Sequence, residues 1–378
     1  MEKNSQIPAE QFLRQFAIDG ELAGVEPYGQ GHINLTFRSE WKEAGTKKRY
    51  IHQRINEKVF TRPNKVMENI DLVTSHIRKK AGMAGITDLG RCTLTIVPSK
   101  DGKLWARDNE GSWWRTFLFI EDSHSLEITA TPEDARILGK SIADFQSQTA
   151  DLDPERLHET IPGFHDMEKR YKYFNEVISG DSHDRVKDVR AEIGFMLENE
   201  ERGDVLIRAL RNRIIPVRTC HNDAKINNIL IDDASSKVLC VIDLDTVMPG
   251  TVLFDLGDLI RTVCATAAED EKDLSRVDFN VDYFEALLSG YLSGAGNFLV
   301  PSELALLCEA GRNITQIMGL RFLSDYLDGD QYYRVSYPLH NLDRCRTQIA
   351  LINSMDSKWQ DIMMISEKIR KKYISKKN

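Results

Sequence analysis

Four polar residues near the middle of the chain have the types and the spacing that phosphoryl transfer requires. His221, Asp223 and Asn228 follow one another in the pattern H-x-D-x-x-x-x-N, and Asp243 comes after two short apolar runs. Transfer of a phosphoryl group asks a protein mainly to position the reactants and to neutralise charge. A carboxylate that receives the proton of an attacking hydroxyl, together with amide and carboxylate oxygens that hold magnesium, would meet both needs.

Each of these residues has a predicted role. We expect Asp223 to be the catalytic base, Asn228 and Asp243 to be the Mg²⁺ ligands, and His221 to brace the loop through hydrogen bonds. The spacing matches the catalytic loop of protein kinases, and the strand, turn and strand that follow place Asp243 at the end of a predicted hairpin. A buried polar hairpin with helix-capping aspartates is the alternative interpretation, and the hairpin context makes it the weaker one.

Three further aspartates follow in the same segment. Asp245 is a candidate second metal ligand or substrate contact. Asp255 and Asp258 belong to the run FDLGDLIR, which is typical of the beginning of a helix. We expect these two side chains to cap that helix and to brace the loop.

The N-terminal third of the chain contains the candidate nucleotide-binding residues. Two glycines precede a predicted strand, where backbone amides can approach phosphates, although a plain hairpin turn is the ordinary explanation of a lone GxG. The run FIE lies where predicted strands give way to helices, and it fits a hinge whose backbone pairs with adenine; by itself it is typical of a core strand. The predicted nucleotide-binding residues are Gly29, Gly31, Asn34, Gln53, Phe119, Ile120 and Glu121.

One feature of kinases is missing from this region. A kinase carries a lysine on the second strand of its N-terminal hairpin, where it contacts the α- and β-phosphates. The corresponding strand here contains Gln53 and Arg54. Either Gln53 donates a hydrogen bond to phosphate as a neutral group, or Arg54 supplies the charge. Glu68 and Asp71 are the candidate acidic partners on the next helix, and both are equally explained as solvated residues.

The hydrophobic pattern predicts two structural regions around these residues. Helical spacing covers 8–19, 63–82, 132–150, 166–178, 184–213, 302–326 and 341–373. Strand patterns cover 33–41, 49–56, 92–98, 103–108 and 112–121, with a compact strand-rich insert at 217–245, and a turn at Gly45 joins the first two strands into a hairpin. We therefore predict an α+β, bilobal, protein-kinase-like fold. A small antiparallel-sheet lobe for the nucleotide would span 1–121, ending in the hinge, and a mainly helical lobe with the catalytic loop and acceptor site would span 122–378.

The composition disfavours several classes of function. The 378 residues carry a formal net charge of −8, which gives no electrostatic attraction to nucleic acid or to an anionic membrane. The six cysteines are scattered without a C-x-x-C pair, and no run approaches the roughly 18 apolar residues of a membrane span. The N-terminus has no apolar signal-peptide core. We expect a cytoplasmic monomer with reduced thiols that binds neither nucleic acid nor membrane.

Two blocks of the sequence carry a resemblance to a known family. HNDAKINNILID and VIDLDTVMPG resemble the shared motif of the aminoglycoside phosphotransferase and choline kinase superfamily. EPYGQGHINLTF, the hinge FIE and GLRFLSDYLDGDQYY are similar to segments of the bacterial N-acetylhexosamine 1-kinases within it. The resemblance extends over most of the chain, from near residue 10 to near residue 355.

This resemblance implies a specific reaction. ATP would phosphorylate the anomeric C1 hydroxyl of N-acetylglucosamine or N-acetylgalactosamine, in the presence of Mg²⁺, to give the α-1-phosphate. It also implies that a residue other than lysine is tolerated near Gln53. The implied sugar contacts are His32, Asp223, Asp243, Arg321 and Tyr332.

Other functions remain open at this point. A kinase of the same fold could act on homoserine, methylthioribose, choline or an aminoglycoside, and the acidic cluster at 325–330 would suit a cationic acceptor. Choline would also require an aromatic cage, of which the sequence shows no clear sign. A non-catalytic nucleotide-binding or scaffold protein is the hypothesis from a different class, and it predicts that Asp223→Ala leaves function intact.

Overall fold

A computed structural model describes residues 7–29, 33–126, 129 and 131–375. The strands are β1 (Glu21–Pro27), β2 (Leu35–Glu43), β3 (Thr46–Arg54), β4 (Ala106–Arg107), β5 (Trp113–Leu118), β6 (Ser123–Ser125), β7 (Arg218–Cys220), β8 (Ile229–Asp232), β9 (Val238–Val241) and β10 (Met248–Gly250). The α-helices are α1 (Glu10–Leu13), α2 (Pro63–Met83), α3 (Pro132–Thr149), α4 (Met167–Gly180), α5 (Arg190–Glu198), α6 (Glu200–Gly203), α7 (Val205–Arg211), α8 (Val252–Val263), α9 (Val281–Gly294), α10 (Pro301–Ala305), α11 (Glu309–Leu327), α12 (His340–Ser357) and α13 (Trp359–Ser375).

An antiparallel five-stranded sheet forms the N-terminal region, with the strand order β1-β2-β3-β5-β4. β2 and β3 meet at Ala44 and Gly45, whose φ angles are 46° and 82°, as a tight two-residue hairpin turn requires. Alternate residues of β2, such as Phe37 and Trp41, are buried in an apolar cluster on one face of the sheet. The other face, which bears Phe117, shares a core with α2 and with the helical region.

The C-terminal region consists mainly of helices around one extensive apolar core. α3 and α9 lie with their backbones in close contact at Gly139 and Gly290. A Cβ atom at Gly139 would lie 2.1 Å from the carbonyl oxygen of Leu287, and one at Gly290 would lie 1.9 Å from that of Arg136. Both positions therefore require glycine. α11 runs through the middle of the region, against α4, α8 and α12.

A small β unit between α7 and α8 carries the residues with predicted chemistry. β7 pairs with β10, and β8 pairs with both β9 and β6. Single 3-10 turns at Ile226–Asn228 and Leu244–Thr246 precede β8 and follow β9. Because β6 comes directly after the predicted hinge, its pairing with β8 brings the hinge region close to the catalytic loop.

The predicted fold class is confirmed. An antiparallel sheet followed by a mainly helical region is an α+β arrangement, and the predicted β2–β3 hairpin, α2 and the strand-rich insert are all present. Within the described ranges, no helix is both long and apolar enough to cross a membrane.

Two predictions near the N-terminus are wrong in detail. The helix expected over 8–19 ends at Leu13, because the chain turns there so that Phe16 pairs with Ser99 and the Ala17 N–H donates to the Pro98 oxygen at 2.8 Å. The helical spacing of Leu13 and Phe16 reflects burial of both side chains and not a continuous helix. β1 was not predicted at all, since its residues are mostly exposed and lack strand alternation.

The remaining corrections concern one predicted strand and the division of three predicted helices. The segment 92–98 was expected to be a strand, but it only forms an isolated bridge between Ile96 and Phe117 of β5. The long helices predicted over 184–213, 302–326 and 341–373 are each divided into shorter ones. At the first division, the Asn199 side chain donates to the Phe195 oxygen at 2.9 Å and so competes with the helical hydrogen bonds.

Candidate active site

The strand β7 leads into the catalytic loop, which begins at His221. Asn222 has a left-handed backbone, with φ of 65°, a conformation that asparagine tolerates better than most residues. Its side chain is buried, and Nδ2 donates to the Thr246 carbonyl at 3.1 Å. Gly250 lies against this amide, since a Cβ there would be 2.7 Å from Asn222 Oδ1. The reversed backbone leaves the next residue, Asp223, partly exposed.

Asp255, in the first turn of α8, supports the loop. Its Oδ1 accepts the Asn222 N–H at 2.7 Å, and its Oδ2 accepts the His221 N–H and the Gln146 Nε2, each at 3.1 Å. Burial raises the pKa of Asp255, although these hydrogen bonds oppose the rise. The predicted bracing role of Asp255 is confirmed.

His221 also holds the loop in place. Its Nε2 donates to the Ile242 carbonyl at 2.8 Å, and its Nδ1 accepts the Asp223 N–H at 3.2 Å. These bonds select one tautomer and tie the loop to the end of β9. The predicted structural role of His221 is confirmed. Asp258 instead forms an ion pair with Arg261 at 2.9 Å within α8.

Asp223 presents its carboxylate in the open part of the loop. Lys225 Nζ lies 3.2 Å from its Oδ2, and Asn228 Nδ2 donates to its main-chain carbonyl at 2.8 Å. Burial alone would raise the pKa of Asp223, but the electrostatic effects of Lys225, His221 and Arg321 outweigh burial and lower the pKa. The carboxylate is therefore ionised at neutral pH and can accept a proton from a hydroxyl.

Asn228 and Asp243 lie on neighbouring segments, because the Ile242 N–H donates to the Asn228 carbonyl at 2.8 Å. The amide nitrogen of Asn228 is used by the Asp223 carbonyl, which leaves Oδ1 for another partner. Asp243 has a left-handed backbone with φ of 60°. Across the described residues, its carboxylate has neither a hydrogen bond nor an ion pair. Two oxygen donors of this kind suit a hard cation such as Mg²⁺.

The electrostatics at Asp243 also fit a cation. Desolvation by the surrounding protein is the largest cause of the raised pKa of Asp243, and the negative charges of Asp245 and Asp223 raise that pKa further. Lys225 and Arg115 oppose the change, and the pKa of Asp243 lies at about 6. A divalent cation beside the carboxylate would relieve this repulsion.

Asp245 is buried in the turn after β9 and contacts residues of the N-terminal sheet region. It forms a buried ion pair with Arg115 of β5, and Asn34 Nδ2 donates to its Oδ2 at 2.7 Å. The other end of the Asn34 amide accepts the Asn56 N–H at 2.9 Å. Protein partners thus engage both oxygens of Asp245 and both ends of Asn34.

The strand position at which kinases carry a lysine is occupied by Gln53. Its Oε1 accepts from Arg115 Nε at 2.9 Å, and its Nε2 donates to Thr36 Oγ1 at 3.1 Å. Arg54, the next residue along β3, points to the opposite face of the sheet and lies 3.9 Å from Glu110. The buried cation at this place is therefore Arg115.

The acidic candidates on α2 have other surroundings. Glu68 pairs with Lys65 at 2.8 Å on the helix surface, and Asp71 is exposed. The residue of α2 that reaches the catalytic unit is Asn69, which is buried and whose Nδ2 donates to the Val247 carbonyl at 2.8 Å. In the described part of the chain, neither Glu68 nor Asp71 therefore pairs with a cation from β3.

The predicted hinge follows β5. The Phe119 N–H donates to the Arg49 carbonyl at 3.0 Å, and the Phe119 ring centroid lies 4.5 Å from the Arg49 guanidinium carbon. Ile120 is buried, and Glu121 forms an ion pair with Arg49. The side chains of Phe119 and Glu121 in the hinge are therefore held by Arg49 of β3.

The glycine turn is described only in part. Gly29 has a φ of 69°, and a Cβ there would meet no atom within 4 Å. Gly31 and His32, which were predicted to bind nucleotide and sugar respectively, lie outside the described residues.

Arg321 of α11 lies in an aromatic pocket beside the catalytic loop. Its guanidinium carbon is 4.5 Å from the Phe164 ring centroid, 5.5 Å from that of Tyr332 and 5.4 Å from that of Tyr333. The residue is 8% exposed, and it forms no ion pair in the described ranges. Its charge lowers the pKa of Asp223. The predicted contacts Arg321 and Tyr332 are therefore close together and near Asp223.

A second arginine shares this pocket. Arg170 Nη2 donates to the Phe164 carbonyl at 2.9 Å. Burial, followed by the positive charge of Arg321, lowers the pKa of Arg170 to about 10. Like Arg321, Arg170 has no ion-pair partner among the residues described. Two guanidinium groups thus lie together among aromatic rings and main-chain oxygens.

The acidic cluster at the C-terminal end of α11 has a structural use. Asp325 accepts the main-chain N–H groups of Tyr332 and Tyr333 at 2.7 and 2.9 Å. Asp330 forms an ion pair with Arg185 at 2.7 Å. These carboxylates shape the turn that presents the two tyrosines, so they are not available as a binding site for a cationic acceptor.

A family model described as the phosphotransferase enzyme family matches residues 94–295, more than half of the chain. The chain belongs to this family. The matched segment includes the hinge, the catalytic loop and Asp243.

Solved structures share the fold of this phosphotransferase. An aminoglycoside phosphotransferase from Alicyclobacillus acidocaldarius is 13% identical with a TM-score of 0.57, covering 98% of this chain and 97% of that one. A choline kinase from Cryptosporidium parvum is 14% identical with a TM-score of 0.55, covering 92% and 93%. A spectinomycin phosphotransferase, solved with ADP and spectinomycin, is 13% identical with a TM-score of 0.53, covering 96% and 99%. Identities this low establish the fold alone.

Sequence reasoning missed three cations of this phosphotransferase. Lys225 lies two residues after Asp223, so the loop motif itself could have indicated it. No sequence motif marks Arg115 or Arg170, because the importance of each depends on residues from distant segments that surround it in the folded chain.

Proposed function

We propose that this phosphotransferase is an ATP- and Mg²⁺-dependent kinase that phosphorylates the anomeric C1 hydroxyl of N-acetylhexosamines. The family membership supports phosphoryl transfer to a small hydroxyl substrate. The resemblance of the segments around His32, Arg321 and Tyr332 to N-acetylhexosamine 1-kinases supports the choice of acceptor.

The observation that carries the choice of acceptor is the unpaired guanidinium of Arg321. A buried cation without an acidic partner repels a cationic acceptor such as choline or an aminoglycoside. It can donate several hydrogen bonds to the hydroxyl and amide oxygens of a neutral sugar. The half-buried ring of Tyr332 supplies flat apolar surface for the sugar ring. The use of Asp325 within the protein removes the main argument for a cationic acceptor.

The catalytic loop supplies the proton acceptor. Asp223 is ionised, is partly exposed, and has its backbone held by His221 and Asn228. In the proposed reaction it orients the sugar hydroxyl and receives its proton as the new bond to phosphorus forms. Lys225, at 3.2 Å, is close enough to stabilise the charges of Asp223 and of the transferred group.

Asn228 and Asp243 would hold Mg²⁺. When bound, the ion neutralises phosphate charge and orients the nucleotide. On the N-terminal side, we place adenine against the main chain of Ile120 and Glu121, since the Phe119 N–H is already used by Arg49. This arrangement puts the boundary between the two lobes after Glu121.

A coupled assay of ADP release with Mg-ATP tests the proposal. The acceptors are N-acetylglucosamine, N-acetylgalactosamine, glucose, homoserine, methylthioribose, choline and kanamycin. Turnover of the N-acetyl sugars, abolished when C1 is blocked as a methyl glycoside, is the expected result. Turnover confined to choline or kanamycin would contradict both the acceptor and the argument from Arg321, whereas no turnover of any hydroxyl compound would contradict the kinase proposal itself.

A further inference from the structure

The ion pair between Arg115 and Asp245 joins the two regions of the molecule. Arg115 lies on β5 of the sheet, and Asp245 lies two residues after the proposed metal ligand Asp243. The two side chains are 1% and 5% exposed. An ion pair this deeply buried contributes little to the free energy of unfolding, because the cost of removing both charges from water offsets most of their attraction. Its position calls for a different explanation.

Other N-terminal residues support the same pair. Gln53 accepts from Arg115 Nε at 2.9 Å, and its own Nε2 donates to Thr36 at 3.1 Å. Asn34 donates to Asp245 Oδ2 at 2.7 Å. Residues of β2, β3, β5 and the turn before β2 therefore converge on one carboxylate of the catalytic unit.

A second attachment lies two residues further along. Asn69 of α2 donates to the Val247 carbonyl at 2.8 Å. The same amide is fixed by His158, whose carbonyl accepts from Nδ2 at 2.7 Å and whose N–H donates to Oδ1 at 2.9 Å. The segment from Asp245 to Val247 is thus held at both ends by the sheet and by α2.

This segment determines where Asp243 points. The left-handed φ of 60° at Asp243 reverses the chain immediately before the 3-10 turn at Leu244–Thr246. The carboxylate of Asp243 has no partner of its own in the described structure, so its direction depends on the anchored residues that follow it.

We propose that Arg115 is a positioning residue that, through its ion pair with Asp245, holds Asp243 in the orientation that binds Mg²⁺. The inference rests on the proposed function, because it takes Asp243 as the metal ligand. In a typical kinase the buried cation of this region is a lysine directed at the phosphates. Here the cation is directed at the catalytic unit, and Gln53 supports it instead of binding nucleotide.

The test measures binding of ADP with and without Mg²⁺ by titration calorimetry, so that no acceptor is needed. The double variant Arg115→Met with Asp245→Asn removes both charges while the new amide can still accept from Asn34. We expect it to need about 10-fold to 100-fold more Mg²⁺ for the same ADP affinity, the loss usual when the support of a metal ligand is removed. The affinity for ADP without Mg²⁺ should be unchanged.

A matched control comes from another pair with a fully buried arginine. Arg312 is 1% exposed and lies 2.8 Å from Asp356 in the helical region. The variant Arg312→Met with Asp356→Asn changes a similar pair without touching the site, and its Mg²⁺ requirement should equal that of the wild-type protein.

Each other outcome has a defined meaning. An unchanged Mg²⁺ requirement in the folded double variant would show that the pair is only structural and would overturn the proposal. Loss of ADP affinity without Mg²⁺ would also overturn it, because Arg115 would then act on the phosphates. If the double variant does not fold, Asp245→Asn alone removes the ion pair and can keep the bonds from Asn34 to residue 245 and from Arg115 to Gln53, and an unchanged Mg²⁺ requirement there is equally decisive against the proposal. A wild-type protein without Mg²⁺-dependent ADP binding would instead contradict the proposed function.

Discussion

The carboxylate of Asp255 holds the backbone of Asn222 in its left-handed conformation through a hydrogen bond of 2.7 Å. Its second oxygen accepts from the His221 N–H and from Gln146. A helix residue more than 30 positions away thus determines the path of the catalytic loop. The loop is rigid because its N–H groups are satisfied by a buried side chain.

Replacement of Asp255 by alanine should strongly destabilise the protein. The change leaves the N–H groups of His221 and Asn222 buried without acceptors, and each such group costs about 1–3 kcal/mol. We expect the free energy of unfolding to fall by about 3–5 kcal/mol in urea titrations. Asp255→Asn keeps one acceptor oxygen and should lose less. Equal stability of Asp255→Ala and wild type would contradict the bracing role.

Asp223→Asn should abolish proton acceptance while preserving the shape of the loop. We expect kcat to fall by at least about 100-fold, the usual contribution of general-base catalysis, with nearly unchanged binding of Mg-ADP. Asp233→Asn, on the exposed turn between β8 and β9, is the control and should keep full activity. A loss in kcat of only a few fold at Asp223 would remove it from the role of base.

Arg321→Met should separate stability from function. The variant removes a buried charge that has no ion-pair partner in the described structure, but the carboxylates of Asp223 and Asp258 offset part of the cost of its burial. The melting temperature should therefore change little. The KM for the acceptor should increase by roughly 10-fold to 100-fold, because a charged hydrogen-bond donor contributes about 1.5–3 kcal/mol. Arg321→Lys keeps the charge but loses the planar guanidinium group, so its acceptor KM should lie between those of the wild type and Arg321→Met. An unchanged acceptor KM in both variants would exclude Arg321 from the acceptor site.

Asp243 should make the metal-free protein less stable as the pH rises. Its pKa is raised to about 6 in the folded chain, against about 3.9 for an unfolded aspartate. The folded state therefore holds the proton more tightly, and this contribution to stability is complete below about pH 4 and lost as the pH rises through about 6. Asp243→Asn lacks this proton-linked contribution. The melting temperature of the variant, relative to that of the wild type, should therefore increase as the pH rises from about 4 through about 6. A constant difference from pH 4 to 7 would contradict the raised pKa.

Gly139→Ala should disrupt the contact between α3 and α9. The added Cβ would lie 2.1 Å from the Leu287 carbonyl oxygen, so the two helices would have to separate. We expect a loss of several kcal/mol in the free energy of unfolding. Gly194→Ala in α5 is the control: a Cβ there meets no atom within 4 Å, and the substitution should be neutral or stabilising by up to about 1 kcal/mol.

The arrangement of the proposed catalytic residues could be predicted because these residues are close in the sequence. Asp223, Asn228 and Asp243 lie on one loop and the hairpin that follows it, so spacing and strand pattern together indicate their arrangement. The bracing by His221 and Asp255 was also predictable, since short loops that carry chemistry need buried polar support. The α+β fold class followed from a clear change between strand and helix periodicity.

The partners of buried charges could not be predicted in this way. Asp245 could have been a metal ligand or a substrate contact, and only the folded chain shows that it pairs with Arg115 of a distant strand. The acidic residues Asp325 and Asp330 could equally have formed a cation site, until their bonds to Tyr332 and Arg185 were seen.

The sequence by itself therefore determined the fold class, the position of the proposed catalytic loop and the chemistry that its residue types permit. Only the tertiary structure decided which cation stands in the place of the usual lysine. It also decided that Arg170 and Arg321 share a pocket in which, among the described residues, neither forms an ion pair. The physical reason is that local spacing constrains side chains within one loop or hairpin. The environment of a buried charge depends instead on segments that are far apart along the chain and meet only when the core packs.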